Sequence, residues 1–192
     1  MGLTLNDIAI LVLTDSVDKR SGGKNLYYRQ VCRGVPVADG LLQVNFGPER
    51  QISGVVNNLI PNLCVDSLKT APIISAVEAV TASAKQLSFI ANSITPAVSI
   101  IKSIPNEQQT TLIEARTLSA EIITAELRLL QISNGVVGLM WNFSLLTDDH
   151  YLNIFVSADG QYPASIMLMR DWVKQESYRV YPQPNESPLD VS

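Results

Sequence analysis

Polar residues at 43 and 45 alternate with apolar ones at 42, 44 and 46 along the run Leu41-Leu42-Gln43-Val44-Asn45-Phe46. That is the period-two signature of a strand with one wet face. The stretch before it, residues 26–33, is rich in Tyr and Val, and the turn-forming run 34–40 (Gly-Val-Pro-Val-Ala-Asp-Gly) closes it. Gly47-Pro48-Glu49-Arg50 supplies the next turn, and residues 51–60 return as a third strand with Gly54 as a candidate bulge. The three segments predict an antiparallel meander. Ahead of them, residues 1–25 read as an amphipathic opening segment followed by a loop from Asp18 to Asn25.

The hydrophobic period then changes. Ile74, Val77, Val80, Ala84 and Leu87 recur at three- and four-residue steps and form a stripe suited to packing on a sheet. Ser75 can cap this helix, and Glu78 three residues on completes a capping box. Residues 88–110, punctuated by Pro96 and Pro105, suit a linker or a broken helix and receive no assignment. The second half reads as mostly β. Residues 126–133 and 136–145 flank Asn134-Gly135, a dipeptide that tolerates the positive φ of a tight hairpin. Residues 151–157 and 165–173 form another hairpin across Asp159-Gly160. The expected class is α+β, with curved antiparallel sheets wrapped around helices.

Length and composition narrow the functional classes. A chain of 192 residues suits one ordinary domain or two small ones, and can bury roughly 70% of its unfolded surface without a metal or disulfide framework. Its net charge is −4 and its 14 basic residues are scattered, which argues against nucleic acid as a partner. Cys32 and Cys64 permit at most one bridge; two buried thiols acting as small hydrophobes are the favoured reading. The apolar run 8–13 is too short to span a bilayer, so no membrane is expected. Asn6 and Asp7 precede it where a secretory signal would be positive, so a secreted protein would have its signal outside this chain.

Candidate chemistry is sparse. His150 is the sole histidine, which rules out a His-Glu-x-x-His zinc helix and a histidine-rich metal site. Asp148, Asp149 and His150 lie between two predicted strands and read as a solvated turn. No Gly-x-Ser-x-Gly elbow presents a serine, and no Gly-rich strand-to-helix loop cradles phosphate. The chain alone is not expected to be an enzyme, and no catalytic, cofactor-binding or metal residue is nominated. Asn142-Phe143-Ser144 and Asn185-Glu186-Ser187 are formal glycosylation sequons; the first sits in a predicted strand, and Pro188 follows the second.

Three groups of residues carry a family resemblance. Tyr27-Tyr28-Arg29-Gln30-Val31, Gly34-Val35-Pro36-Val37 and Leu42-Gln43-Val44-Asn45 resemble the first pro-region module of fungalysins and thermolysin-like proteases, the FTP module. Pro72 to Ala79, then Trp141-Asn142-Phe143 and Tyr151 through Gly160, are similar to the second, PepSY module. Asp171-Trp172-Val173 and Tyr178-Arg179-Val180-Tyr181-Pro182 resemble the junction where the pro-region hands over to the catalytic domain. The resemblance covers residues 26–182 in patches. It departs from the family at Asn185-Glu186-Ser187-Pro188, where Asn-Asp-Pro is usual, in the strand at 51–60, which lacks an aromatic residue, and in lacking the catalytic domain.

The resemblance implies a division into an N-terminal segment (1–25), an FTP-like meander (26–70), a PepSY-like module (71–173) and a junction with the start of a truncated catalytic region (174–192). It further implies a pro-domain of a secreted, extracellular metalloprotease, an intramolecular chaperone and inhibitor whose partner is the protease catalytic domain. Zinc would belong to the full-length protease, with no cofactor in this chain. Lys174, Gln175, Glu176 and Ser177 form the expected processing region, with an ordinary inter-strand turn as the alternative. Competing readings are a free-standing protein-binding module or protease inhibitor, and an inactive truncated fragment.

Overall fold

The computed structural model describes residues 3–65, 67–87, 96–160 and 162–173. The chain opens with a short helix α1 (Leu5–Ala9) and four strands: β1 (Leu11–Asp18), β2 (Lys24–Cys32), β3 (Val35–Phe46) and β4 (Ile52–Asn57). Helix α2 (Ala76–Gln86) follows. Six strands complete the described chain: β5 (Ser99–Ser103), β6 (Thr111–Glu114), β7 (Ile123–Ser133), β8 (Val136–Leu146), β9 (Tyr151–Ser157) and β10 (Ile166–Asp171). All ten strands join one sheet in the order β1-β2-β3-β7-β8-β9-β10, with β4 on β3, β6 on β7 and β5 on β6. Every pairing is antiparallel except the parallel bridge Val37 to Leu129 between β3 and β7.

This architecture corrects the α+β expectation. Strands make up 49% and helix only 10%, so the fold is predominantly β, and no sheet wraps around helices. The added strand content comes from segments without a clean period. β1 lies in the segment whose sequence suggests an amphipathic opening, and β5 lies in the Pro-punctuated stretch whose sequence specifies no element. Neither strand buries a face: every residue of β5 and nearly every residue of β1 is exposed, so alternation could not mark them.

β3 is the pivot of the sheet. Arg33 (φ 49°) and Gly34 (φ 83°) form the tight turn into it, where two successive positive φ angles match the twist of a two-residue hairpin. The run 34–40 is therefore not a turn that ends a strand; from Val35 it is strand. Val35 and Pro36 pair with Cys32 and Val31, and residues 41–46 pair with 29–24, which leaves 37–40 arched opposite Gln30. Pro36 and Gly40 bracket the arch. A Cβ on Gly40 would stand 2.8 Å from the Val37 Cβ and 2.9 Å from Gln30 Oε1, so only glycine lets the Gln30 side chain pass. One edge of β3 is shared: Val37, at the start of the arch, meets β7, and the C-terminal half beyond the arch receives β4.

The main core lies on one face under α2. Leu127, Leu129, Leu139, Trp141, Phe143, Ile154 and Val156 from the sheet meet Ala76, Ala79, Val80 and Ala84 from the helix. The helix begins as its sequence dictates. Ser75 Oγ accepts the Glu78 amide at 3.2 Å, and Glu78 Oε2 accepts the Ser75 amide at 2.7 Å. Trp141 Nε1 donates to Ile74 O at 2.9 Å, and Gln86 bonds Ala164 O and the Ile166 amide, which pins both ends of the helix to the sheet.

Three ties hold residues 60–64 against α1 and β2. Gln30, wholly buried, accepts the Ile60 amide at 2.8 Å and donates to Ile60 O at 2.9 Å, as a strand neighbour would. Asp7 Oδ1 accepts the Asn62 amide at 2.7 Å. Cys32 and Cys64 form a disulfide with Cα atoms 5.5 Å apart, which overturns the favoured reading of two thiols. The bridge depends on a fold contact between β2 and a loop, which spacing in the sequence cannot reveal.

Candidate functional site

β10 is the outer strand of the sheet path, paired along one side with β9. Pairing runs one residue past its end, because the Trp172 amide donates to Tyr151 O at 2.9 Å. Asp171 fixes the departing backbone: its Oδ1 accepts the Val173 amide at 3.0 Å and its Oδ2 lies 2.6 Å from His150 Nδ1. The hydrogen bond to His150 is the main cause that holds the Asp171 carboxyl below its ordinary range; partial desolvation opposes it, and the Val173 amide assists. This clasp delivers Trp172, 62% exposed, together with exposed Val173, Met169 and Tyr151, to one open margin of the sheet.

The turn expected at Asp148, Asp149 and His150 is present. The His150 amide donates to Thr147 Oγ1 at 3.0 Å, and the Thr147 amide donates to His150 O at 2.9 Å. What the sequence did not disclose is the reach of the imidazole across to Asp171, 21 residues away. Lys174, Gln175, Glu176 and Ser177, the expected processing region, lie outside the described residues, as do Asn185 and the Tyr178 to Pro182 element. Asn142 of the first sequon is half-buried in β8 and donates to Ile154 O at 3.1 Å, a structural role.

Two further exposed strands are β1, outside β2, and β4, outside β3; the sequence marks β4 as a strand but not its exposure, and does not mark β1. On β4, Ile52, Val55 and Val56 are all exposed, and on β1 so are Val12, Leu13 and Val17. Neighbouring residues of a strand point to opposite faces, so adjacent Val55 and Val56 show that β4 is uncovered on both sides. The adjacency of two β-branched residues was the available signal. Strands of this kind can accept a further strand along the edge and apolar side chains on either face.

A shallow polar groove of ≈ 320 Å³ runs over β7 and β8, lined by Thr124, Glu126, Asn142, Ser144 and Tyr151 among others. Its Glu126 is engaged by Arg128 at 2.7 Å and Thr110 at 3.1 Å. Glu121 also lines the groove, so the arrangement suits recognition of polar backbone or side-chain donors. Among the described residues no cluster of three or more His, Cys, Asp or Glu is placed to hold a metal ion.

The sequence matches no family model, and no curated protein matches it. Among solved structures it is similar to the C-terminal domain of YpeB from Bacillus megaterium, at 12% identity and a TM-score of 0.41, over 87% of this chain. The chain spans 62% of that neighbour's length, and a likeness this distant carries no argument about function.

Proposed function

We propose that this chain is the pro-region of a fungalysin-like extracellular metalloprotease, acting as folding assistant and inhibitor of a protease domain outside these 192 residues. The observation that carries the reading is the place of the junction-like Asp171-Trp172-Val173. It sits at the outer margin of the sheet, clasped by His150 and Tyr151, with the indole left open. A chain that must hand over to a neighbouring domain needs its exit fixed in direction and free of its own core.

Supporting features follow from the rest of the surface. The uncovered apolar residues of β1 and β4 suit a second protein surface, and a contact of ordinary size would bury on the order of 1,600 Å². The disulfide suits an oxidising, extracytoplasmic compartment. In this reading residues 26–70 and 71–173 are the two pro-region modules, and Lys174, Gln175, Glu176 and Ser177 the segment cut to release the enzyme. Zinc in such a protease serves the catalytic domain, and no residue of this chain is assigned to it.

The mechanism is linkage. A partner that binds only the native catalytic surface stabilises it in proportion to the logarithm of its concentration over Kd. Faster folding of a protease whose stability is kinetic requires in addition that the partner bind its native-like transition state. The test adds the folded chain in trans to a fungalysin catalytic domain. Peptide cleavage should slow and recovery on refolding should rise. If neither quantity changes while circular dichroism shows the chain folded, both escort roles are rejected; slowed cleavage without refolding assistance would leave a stand-alone inhibitor.

A further inference from the structure

The face opposite α2 carries a smaller apolar cluster: Leu130, Met140 and Phe155, with partly buried Ala38, Met167 and Leu168. Beside it the sheet gathers three guanidinium groups from strands far apart in sequence. Arg170 of β10 binds Asp39 of β3 at 3.0 Å, so the last strand of the sheet path reaches back to the third. Arg128 of β7 binds Glu126 at 2.7 Å. Arg29 of β2 lies within electrostatic reach of both Arg128 and Asp39.

The charges in this cluster do not cancel. Three arginines face two carboxylates, each of which already holds one arginine at hydrogen-bond distance. Arg29 is the group left over. Its hydrogen bond to the neutral Val37 O is a long one, 3.4 Å from Nη1, although a guanidinium offers five donors in a planar fork. Burial, and then the repulsion of Arg128, push its proton affinity down, with Asp39 opposing. An anion placed between Arg29 and Arg128 attracts both guanidiniums and so offsets their mutual repulsion. A carboxylate fits best, since its two oxygens match the guanidinium fork.

We infer that Arg29, Arg128 and Arg170 form a recognition site for a carboxylate side chain on an acidic segment of a partner protein, with the apolar residue next to that carboxylate seated against Met167 and Leu168. The commitment to an acidic partner rests on charge complementarity: this cluster sets three guanidiniums against two carboxylates, in a chain whose net charge elsewhere is negative. The site stands whichever protein supplies the segment, so it does not depend on the protease reading.

The test is a titration of the full chain followed through the arginine side-chain NMR signals. The probe is a short blocked peptide with one glutamate between two leucines, and the control replaces that glutamate by glutamine. The glutamate peptide should move the Arg29 and Arg128 signals saturably, and the glutamine peptide should bind at least about tenfold more weakly. Arg29→Gln should abolish the effect and Arg29→Lys should weaken it less. Arg170→Gln, at a side chain 40% exposed, tests the same site should the Arg29 variants fail to fold, and should lower affinity several-fold. Equal binding of both peptides, no saturable shift, or an unchanged response in the Arg170 variant would overturn the inference. Saturation of the same signals by inorganic phosphate as readily as by the peptide would overturn it too, since the site would then be a general anion site.

Discussion

Opening the Cys32–Cys64 bridge is expected to cost this chain a large part of its stability. The bridge joins residues 32 positions apart and closes a loop that contains β3, β4 and the segment carrying Ile60. In the chain-entropy account a closure of that length lowers the free energy of folding by about 3–4 kcal/mol, acting through the unfolded state. Net stabilities of single domains are ~5–15 kcal/mol, so the loss would be plain. Gln30 and Asp7 still tie residues 60–62 in the native state, so the reduced chain should fold to the same sheet. The assay compares urea unfolding of the oxidised chain with that of the chain reduced under denaturing conditions and refolded. Using the same sequence avoids the cavity that an alanine would leave beside buried Cys32. Unfolding free energies that agree to within about 0.5 kcal/mol, or mass spectra showing two free thiols after oxidative purification, would contradict this expectation.

Other outcomes follow from single side chains. Gln30→Leu deprives the Ile60 N–H and C=O of partners inside the core, at about 1–3 kcal/mol for each group; denaturant titration checks it, and a loss below about 1 kcal/mol would show that water replaces the amide. Asp7 is buried, which by itself would raise its carboxyl, but hydrogen bonds from Thr4, Asn62 and Leu63 hold it below the ordinary range. A depressed folded value means its contribution is complete above the unfolded value of about 3.9 and disappears as pH falls through the folded one. Asp7→Asn should therefore destabilise the chain at neutral pH and flatten the acid limb of its stability curve. Ser75→Ala should cost about 1 kcal/mol by removing the cap on α2, seen as a lower midpoint in thermal unfolding with an unchanged native spectrum.

Sequence legibility followed burial. The capping box at Ser75 and Glu78, the hairpin at Asn134-Gly135 and the strand Tyr151–Ser157 stand where their residues placed them, because each couples a local signal to burial, on one face of α2 and on both faces of the strand. β1 and β5 were opaque because exposed strands show no alternation. β3 misled for a different reason. Pro36 and Gly40 usually break strands, yet here they shape an arch within one, and the reason for Gly40 is the passage of the Gln30 side chain. The junction residues Asp171-Trp172-Val173 could be picked out in sequence, but their clasp by His150 could not. Nor could the gathering of Arg29, Asp39, Arg128 and Arg170, which depends on how a ten-stranded sheet brings its last strand back to its third.

The proposed pro-region role requires this surface to grip a protease catalytic domain. Its most direct measurement is the rate of peptide hydrolysis by a fungalysin catalytic domain against rising concentrations of the folded, oxidised chain. The account expects a saturable fall in rate that is weakened when Trp172, the exposed indole at the exit of the sheet, is replaced by alanine. A rate that stays flat across the titration, with the chain verified as folded, would contradict it.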